Sequence, residues 1–202
     1  LVPGVRLLPS GCADASCAVA WDGTSPVEMD ALTLTFKFLP GLKWSDGQPL
    51  TARDSVYSFE VSNDPATPVN RRMLDRTASY TAPDDLTVQW VSIPGYRSTR
   101  YADGFWNPLP EHVYGQYSPT DLLSAEISTR QPLGWGAYVI QEWVSGDHIT
   151  LQPNPNYFRA GLPAFDYLVY RFLGEESGGN LKALYNGECD IVDQGVALEE
   201  DI

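Results

Sequence analysis

The chain has 202 residues, enough to bury a substantial core in one or two domains. Its 26 acidic side chains against 13 basic ones give a formal charge of −13, which favours solubility and argues against nucleic acid, whose phosphates need clustered Lys and Arg. No apolar run approaches the roughly 18 residues of a membrane span, so any membrane anchor is expected outside these residues.

The first predicted element is a strand. Over residues 31 to 38, Leu32, Leu34, Phe36 and Phe38 alternate with Thr33, Thr35 and Lys37, the period of a strand with one buried face. Pro40-Gly41 breaks it, and Ser45-Asp46-Gly47 supplies a second turn. A helix then starts, with Thr51 as its cap, Asp54 as reciprocal partner in a capping box, and Ala52, Val56 and Phe59 facing a core. Asn63-Asp64-Pro65 ends it, because proline disfavours helix in the residue before it. Thr77 to Tyr80 and Leu86 to Val91 read as a hairpin joined by Ala82-Pro83-Asp84-Asp85. Pairing with the strand at 31 to 38 would make a small antiparallel sheet with Leu86, Val88 and Trp90 on one face.

Residues 94 to 120 carry Gly, Pro, Tyr and Trp without a sustained period; Tyr96, Tyr101, Phe105 and Trp106 are expected to pack a loop down or to line a pocket. A short helix is expected over Thr120 to Ile127, with Asp121 in its first turn. From Gly136 the pattern is sheet-like: a hairpin turns at Ser145-Gly146-Asp147, and another strand runs over Asp166 to Phe172. A helix from Gly179 to Asn186 stops at Gly187, the residue type that favours a left-handed C-terminal cap, and Cys189 to Val192 reads as a last short strand. Strand, helix, strand in that order permits a parallel pair through a right-handed crossover.

Four stretches carry a family resemblance. Phe36 to Asp54, Pro132 to Tyr138 with Glu142-Trp143, Asn154-Pro155-Asn156-Tyr157-Phe158, and Leu184 to Asp190 resemble, in order, signature segments of the extracellular solute-binding proteins of ABC importers, family 5, the peptide, nickel and oligopeptide class. Ala137 departs from the family's usual proline, and Glu111 in Leu109-Pro110-Glu111-His112 replaces its usual cation. The resemblance implies a mixed α+β or α/β fold: part of a periplasmic-binding-protein type II-like lobe carrying an inserted small antiparallel-sheet subdomain. It places that inserted subdomain at residues 1 to 127 and part of the lobe I core at 128 to 202. It also implies an excised piece, one that lacks the second lobe and the first strand of the first. Leu1 is not expected to be a natural start, and residues 136 to 193 are expected to carry an unpaired sheet edge. The implied setting is periplasmic or extracellular, with a lipoprotein-type anchor in the full-length protein. The implied partners are a small solute, most simply a peptide, and a transporter permease.

Cys12 and Cys17 flank Ala-Asp-Ala-Ser closely enough to form a small disulfide, the expectation for an exported chain, with free thiols as the alternative. Cys189 reads as a small buried hydrophobe. No metal or cofactor is expected, since Cys12, Cys17, His112 and His148 do not supply a four-ligand set. No nucleophile, base and oxyanion hole assemble either: Gly134-Trp135-Gly136 enters a strand and is no phosphate loop, and Glu175-Glu176 and Glu199-Glu200 read as solvated surface. His112 reads as a helix-terminal residue. What remains is recognition by aromatics. Trp44, Trp90 and Trp143 are expected in the core, while Trp106 with Asn107, Trp135 between two glycines, Tyr101 and Arg71 are the candidate ligand contacts. Two other readings stand beside peptide capture: a carbohydrate-binding module or sugar-specific binding protein, and a hydrolase domain whose catalytic set the sequence does not reveal.

Overall fold

We describe residues 2–172 and 179–192 of the computed structural model, and side chains within the last helix only from residue 182. The carboxylate pairs Glu175-Glu176 and Glu199-Glu200 lie outside the described residues. The chain forms two compact units: residues 2–136 with 155–162, and residues 137–154 with the described residues from 163 onward. The short helices that follow residue 110 pack into the first unit, as does the backbone as far as Gly134.

In the first unit, a two-stranded ribbon of β1 (Arg6–Leu7) and β2 (Val19–Ala20) closes over a loop in which Cys12 and Cys17 form a disulfide. Arg6 donates from Nη2 to the carbonyls of Ala15 and Ala18, so a guanidinium and a covalent link hold the same segment. The strand predicted from alternation is β3 (Thr33–Lys37), followed by helix α1 (Ala52–Asn63). The hairpin β4 (Thr77–Asp84) and β5 (Thr87–Ser92) completes an antiparallel sheet in the order β3-β5-β4, with Leu34 opposite Trp90 and Phe36 opposite Val88.

Two details differ from the sequence expectation. Strand β4 runs on through Pro83, which an edge strand tolerates because the missing N–H faces away from the ladder; a register shift between Thr81 and Asp84 absorbs the ring. The turn is therefore Asp85-Leu86, and Leu86 is exposed rather than on the buried face. Val88 and Trp90 fill that face with no solvent exposure, each contributing about 1.5–3 kcal/mol of burial.

Helix α1 serves two cores. Ala52 and Val56 pack with Tyr80, Val88 and Trp90, joined by Phe36, Phe38, Phe59, Tyr96 and Trp106. Its other side carries Tyr57 and Val61 against Tyr114, Leu122 and Ile127. Those residues sit on α2 (Glu111–Tyr114), α3 (Pro119–Leu122) and α4 (Glu126–Thr129). The single helix expected over Thr120 to Ile127 is thus two separate turns, because Ala125 adopts an extended conformation (ψ 137°) between them. Gly104 packs at the sheet face, where an added Cβ would lie 3.1 Å from Leu34 and 3.2 Å from the Trp90 ring.

The second unit holds β6 (Tyr138–Val144), β7 (His148–Pro153) and β8 (Leu168–Arg171), antiparallel in that order. Gly146, at φ +79°, allows the tight β6–β7 turn. Helix α5 (Gly179–Tyr185) stops before Gly187 at φ +70°. Cys189 to Val192 is not a strand: no ladder partner for it occurs among the described residues, and a strand exists only through such a ladder. Cys189 is half-buried rather than buried.

Candidate functional site

The turn at Trp44-Ser45-Asp46-Gly47 closes on itself. Trp44 N–H donates to the Gln48 carbonyl (2.9 Å), Gly47 N–H to the Trp44 carbonyl (2.9 Å), and Asp46 Oδ1 accepts from Gln48 N–H (3.0 Å). Gly47 sits at φ +91°, where a side chain is strained. Trp44 is 1 % exposed and anchors the loop from below, although its Nε1 has no hydrogen-bond partner among the described residues.

Three distant segments converge on this turn. His112 Nε2, on α2, lies 2.8 Å from Asp46 Oδ2. Ser45 N–H donates to the Gly134 carbonyl (2.9 Å), and Asn156 Nδ2 donates to the Ser45 carbonyl (3.0 Å). One residue's backbone therefore pins both the Gly-Trp-Gly segment and the Asn-Pro-Asn-Tyr-Phe segment. Burial acts to raise the Asp46 pKa, but the Gln48 N–H and the His112 ring hold the carboxyl below its ordinary range. His112 thus clasps the turn from the start of a helix.

The two pinned segments carry an aromatic cluster. The Trp135 and Phe158 ring centroids are 6.5 Å apart, Tyr157 meets Phe158 edge-on at 4.8 Å, and the Arg159 guanidinium carbon lies 5.4 Å from the Phe158 centroid. Phe158 and Arg159 are exposed, and Trp135 and Tyr157 are half-buried. Clustered rings beside a guanidinium offer an apolar face and planar donors together.

The sequence-predicted contacts do not gather here as a set. Trp106 places its ring against Phe59 and Tyr80, both at 4.9 Å, and its backbone N–H donates to the Tyr80 hydroxyl, so its half-buried ring packs on the core. Asn107 beside it is exposed, and Tyr101 is exposed on a short turn. Arg71 donates to Asn63 Oδ1 (3.1 Å) and pairs with Asp75 (3.7 Å) on the surface. Among the described residues, no hydrogen bond, ring contact or ion pair joins any of these four to Trp135. The structure gathers Tyr157, Phe158 and Arg159 beside Trp135, three residues that the sequence analysis does not single out as contacts; the signal in the sequence is two adjacent aromatics and a cation in one short loop. His148 bonds Asp147 (2.8 Å), whose carboxylate raises the imidazole pKa, with Glu142 adding to the effect. Among the described residues no group of three or more His, Cys, Asp or Glu could hold a metal ion, and no helix is long and apolar enough to cross a membrane.

Comparison with known proteins places this architecture. The family model described as bacterial extracellular solute-binding proteins, family 5 middle, matches residues 19–201. A Brucella ovis protein that carries the name ABC transporter peptide-binding protein is 31 % identical over 168 residues, covering 82 % of this chain and 31 % of its own. The oligopeptide-binding protein AppA of Bacillus subtilis is 29 % identical over 156 residues, covering 72 % of this chain and 27 % of its own. The structure of that AppA in complex with a nonapeptide superimposes with a TM-score of 0.67 at 25 % identity, over 78 % of this chain and 31 % of that one. The chain therefore spans about a third of the length of the relatives it matches. Its fold class is the mixed α/β one of periplasmic-binding-protein type II-like lobes, with small antiparallel sheets. The family's members are substrate-binding components of transport, not enzymes, and act outside the cytoplasm. On these grounds the chain belongs to the bacterial extracellular solute-binding proteins, family 5.

Proposed function

We propose that this chain is part of a protein that captures peptides outside the cytoplasm and delivers them to the permease of an ABC importer. The observation that carries the reading is the family match across residues 19–201, together with relatives named for peptide binding at 29–31 % identity. The pinned aromatic cluster supports it, because rings held by backbone bonds offer a preorganised apolar surface and lose little entropy when a solute docks. In the complete protein, ligand stabilises a closed arrangement of two lobes only by its differential affinity for that arrangement. Of the five sequence-predicted contacts, Trp135 is the one this proposal places against ligand. The protein turns nothing over.

The test is uptake. Deleting the gene in its native host is expected to abolish import of labelled oligopeptides into whole cells, with rescue by the complete gene. Unchanged import, or a purified protein that hydrolyses the same peptides, would contradict the proposal.

A further inference from the structure

The Arg159 guanidinium lies against the exposed Phe158 ring, and among the described residues no carboxylate pairs with it. That is notable in a chain with twice as many acids as bases. Among the described residues five other arginines are engaged on an acid, Arg53 with Glu60 and Glu111, Arg71 with Asp75, Arg97 with Asp30, Arg100 with Asp103 and Arg171 with Glu188, while Arg6 and Arg76 donate to backbone carbonyls. Arg159 opens a turn that closes by Leu162 N–H onto its carbonyl (3.3 Å), with Gly161 at φ +76°. Its backbone is tied into that turn, and its side chain is exposed. A solute carboxylate approaching a chain of charge −13 meets a repulsive field, so a local cation is needed where such a group is to be held.

We propose that Trp135, Phe158 and Arg159 form a subsite for a carboxylate adjoining an apolar side chain, specifically the C-terminal residue of a bound peptide. The inference rests on the peptide reading above and names the part of the ligand this surface takes. The planar guanidinium presents paired N–H donors that match a carboxylate in a two-bond geometry. The Trp135 and Phe158 rings, 6.5 Å apart and tilted by 37°, supply the apolar contact for the neighbouring side chain. The hydrogen bonds from Ser45 to Gly134 and from Asn156 to Ser45 fix the spacing of the two rings before ligand arrives.

The experiment uses the complete protein and a pentapeptide library ending in phenylalanine, prepared as free acids and as C-terminal amides, with affinity measured by calorimetry and tryptophan emission. The wild-type protein is expected to hold the acids about tenfold to a hundredfold more tightly than the amides, the size of a charge-assisted bidentate bond. Arg159→Ala is expected to erase that preference, and Arg159→Lys to keep part of it. Trp135→Ala is expected to weaken acids and amides equally. Equal binding of acids and amides by the wild type, or a preference that survives Arg159→Ala, would overturn the subsite and leave the peptide reading intact. Failure of the wild type to bind either library would overturn both.

Discussion

Ser45 holds two segments through its main chain, its N–H on Gly134 and its carbonyl on Asn156, and the neighbouring Asp46 side chain adds the tie to His112. Replacing Asp46→Asn removes the charged acceptor of His112. Both side chains are about a third exposed, so solvent screening holds the expected loss to about 0.5–1 kcal/mol at neutral pH. Because folding depresses the Asp46 pKa, its contribution is fully present above the ordinary carboxylate pKa and is lost as pH falls through the folded-state value. Urea unfolding should accordingly show the wild type and the Asp46→Asn variant separated near neutral pH and converging in acid; a gap that widens on acidification would refute the assignment. His148 has the opposite sign: its raised pKa gives stability present in acid and lost as pH rises through the folded-state value. At this scale the sequence was informative where chemistry is local, as at Gly47 and Gly187, whose positive φ the turn and helix end demand. It was silent on Arg159, since whether an arginine meets an acid depends on segments far away in the chain.

Helix α1 shows what one residue can do for neighbouring elements. Asp54, 6 % exposed, accepts Thr51 N–H at 2.8 Å, the predicted capping box, and also Glu111 N–H at 3.3 Å, the first residue of α2. Its own carbonyl takes Leu109 N–H at 3.2 Å. The local bond was legible from Thr51 and Asp54 spaced three apart; the cap on α2 was not, because it joins residues 57 apart. Asp54→Ala should cost about 2 kcal/mol, the top of the range for a single cap, since two helix starts lose an acceptor. Chemical denaturation measures this, and a loss near zero would mean that water replaces the carboxylate at both ends. Gly47→Ala should cost about 1–2 kcal/mol for its left-handed conformation. Where the sequence misread elements, tertiary context decided. Pro83 is accepted in β4 because that strand is an edge, and Cys189 to Val192 has the composition of a strand without a described partner.

At the scale of the whole chain, the first unit buries Trp44, Tyr57, Tyr80, Trp90 and Tyr114 and exposes Tyr101, Tyr117 and Phe158, while the second leaves many of its described aromatics exposed. Phe165, Tyr167, Tyr185 and Ile191 are 61–84 % exposed, and Val169 and Tyr170, on opposite faces of β8, are both half-exposed. Among the described residues β8 is also an edge strand of its sheet. An apolar surface of this kind seeks a cover. The isolated 202-residue chain is therefore expected to self-associate with rising concentration and to bind an apolar dye, and the complete protein to do neither. A monomeric, dye-silent fragment in sedimentation and fluorescence experiments would count against that. Family was legible in the sequence because its signature segments are short and local: the turn around Ser45, the Gly-Trp-Gly segment and the Asn-Pro-Asn loop. The site was less so. Trp106, a candidate contact from sequence, packs its half-buried ring on Phe59 and Tyr80, and the closeness of Phe158 to Trp135 depends on Ser45 bringing residues 134 and 156 together, which no local pattern shows.

The most direct measurement is native mass spectrometry of the complete protein purified from its host, with the bound fraction released and sequenced. The account predicts a population of intact peptides, enriched for apolar C-terminal residues with free carboxylates. Release of an oligosaccharide or another non-peptide solute, or of peptides cleaved during incubation with the protein, would contradict it.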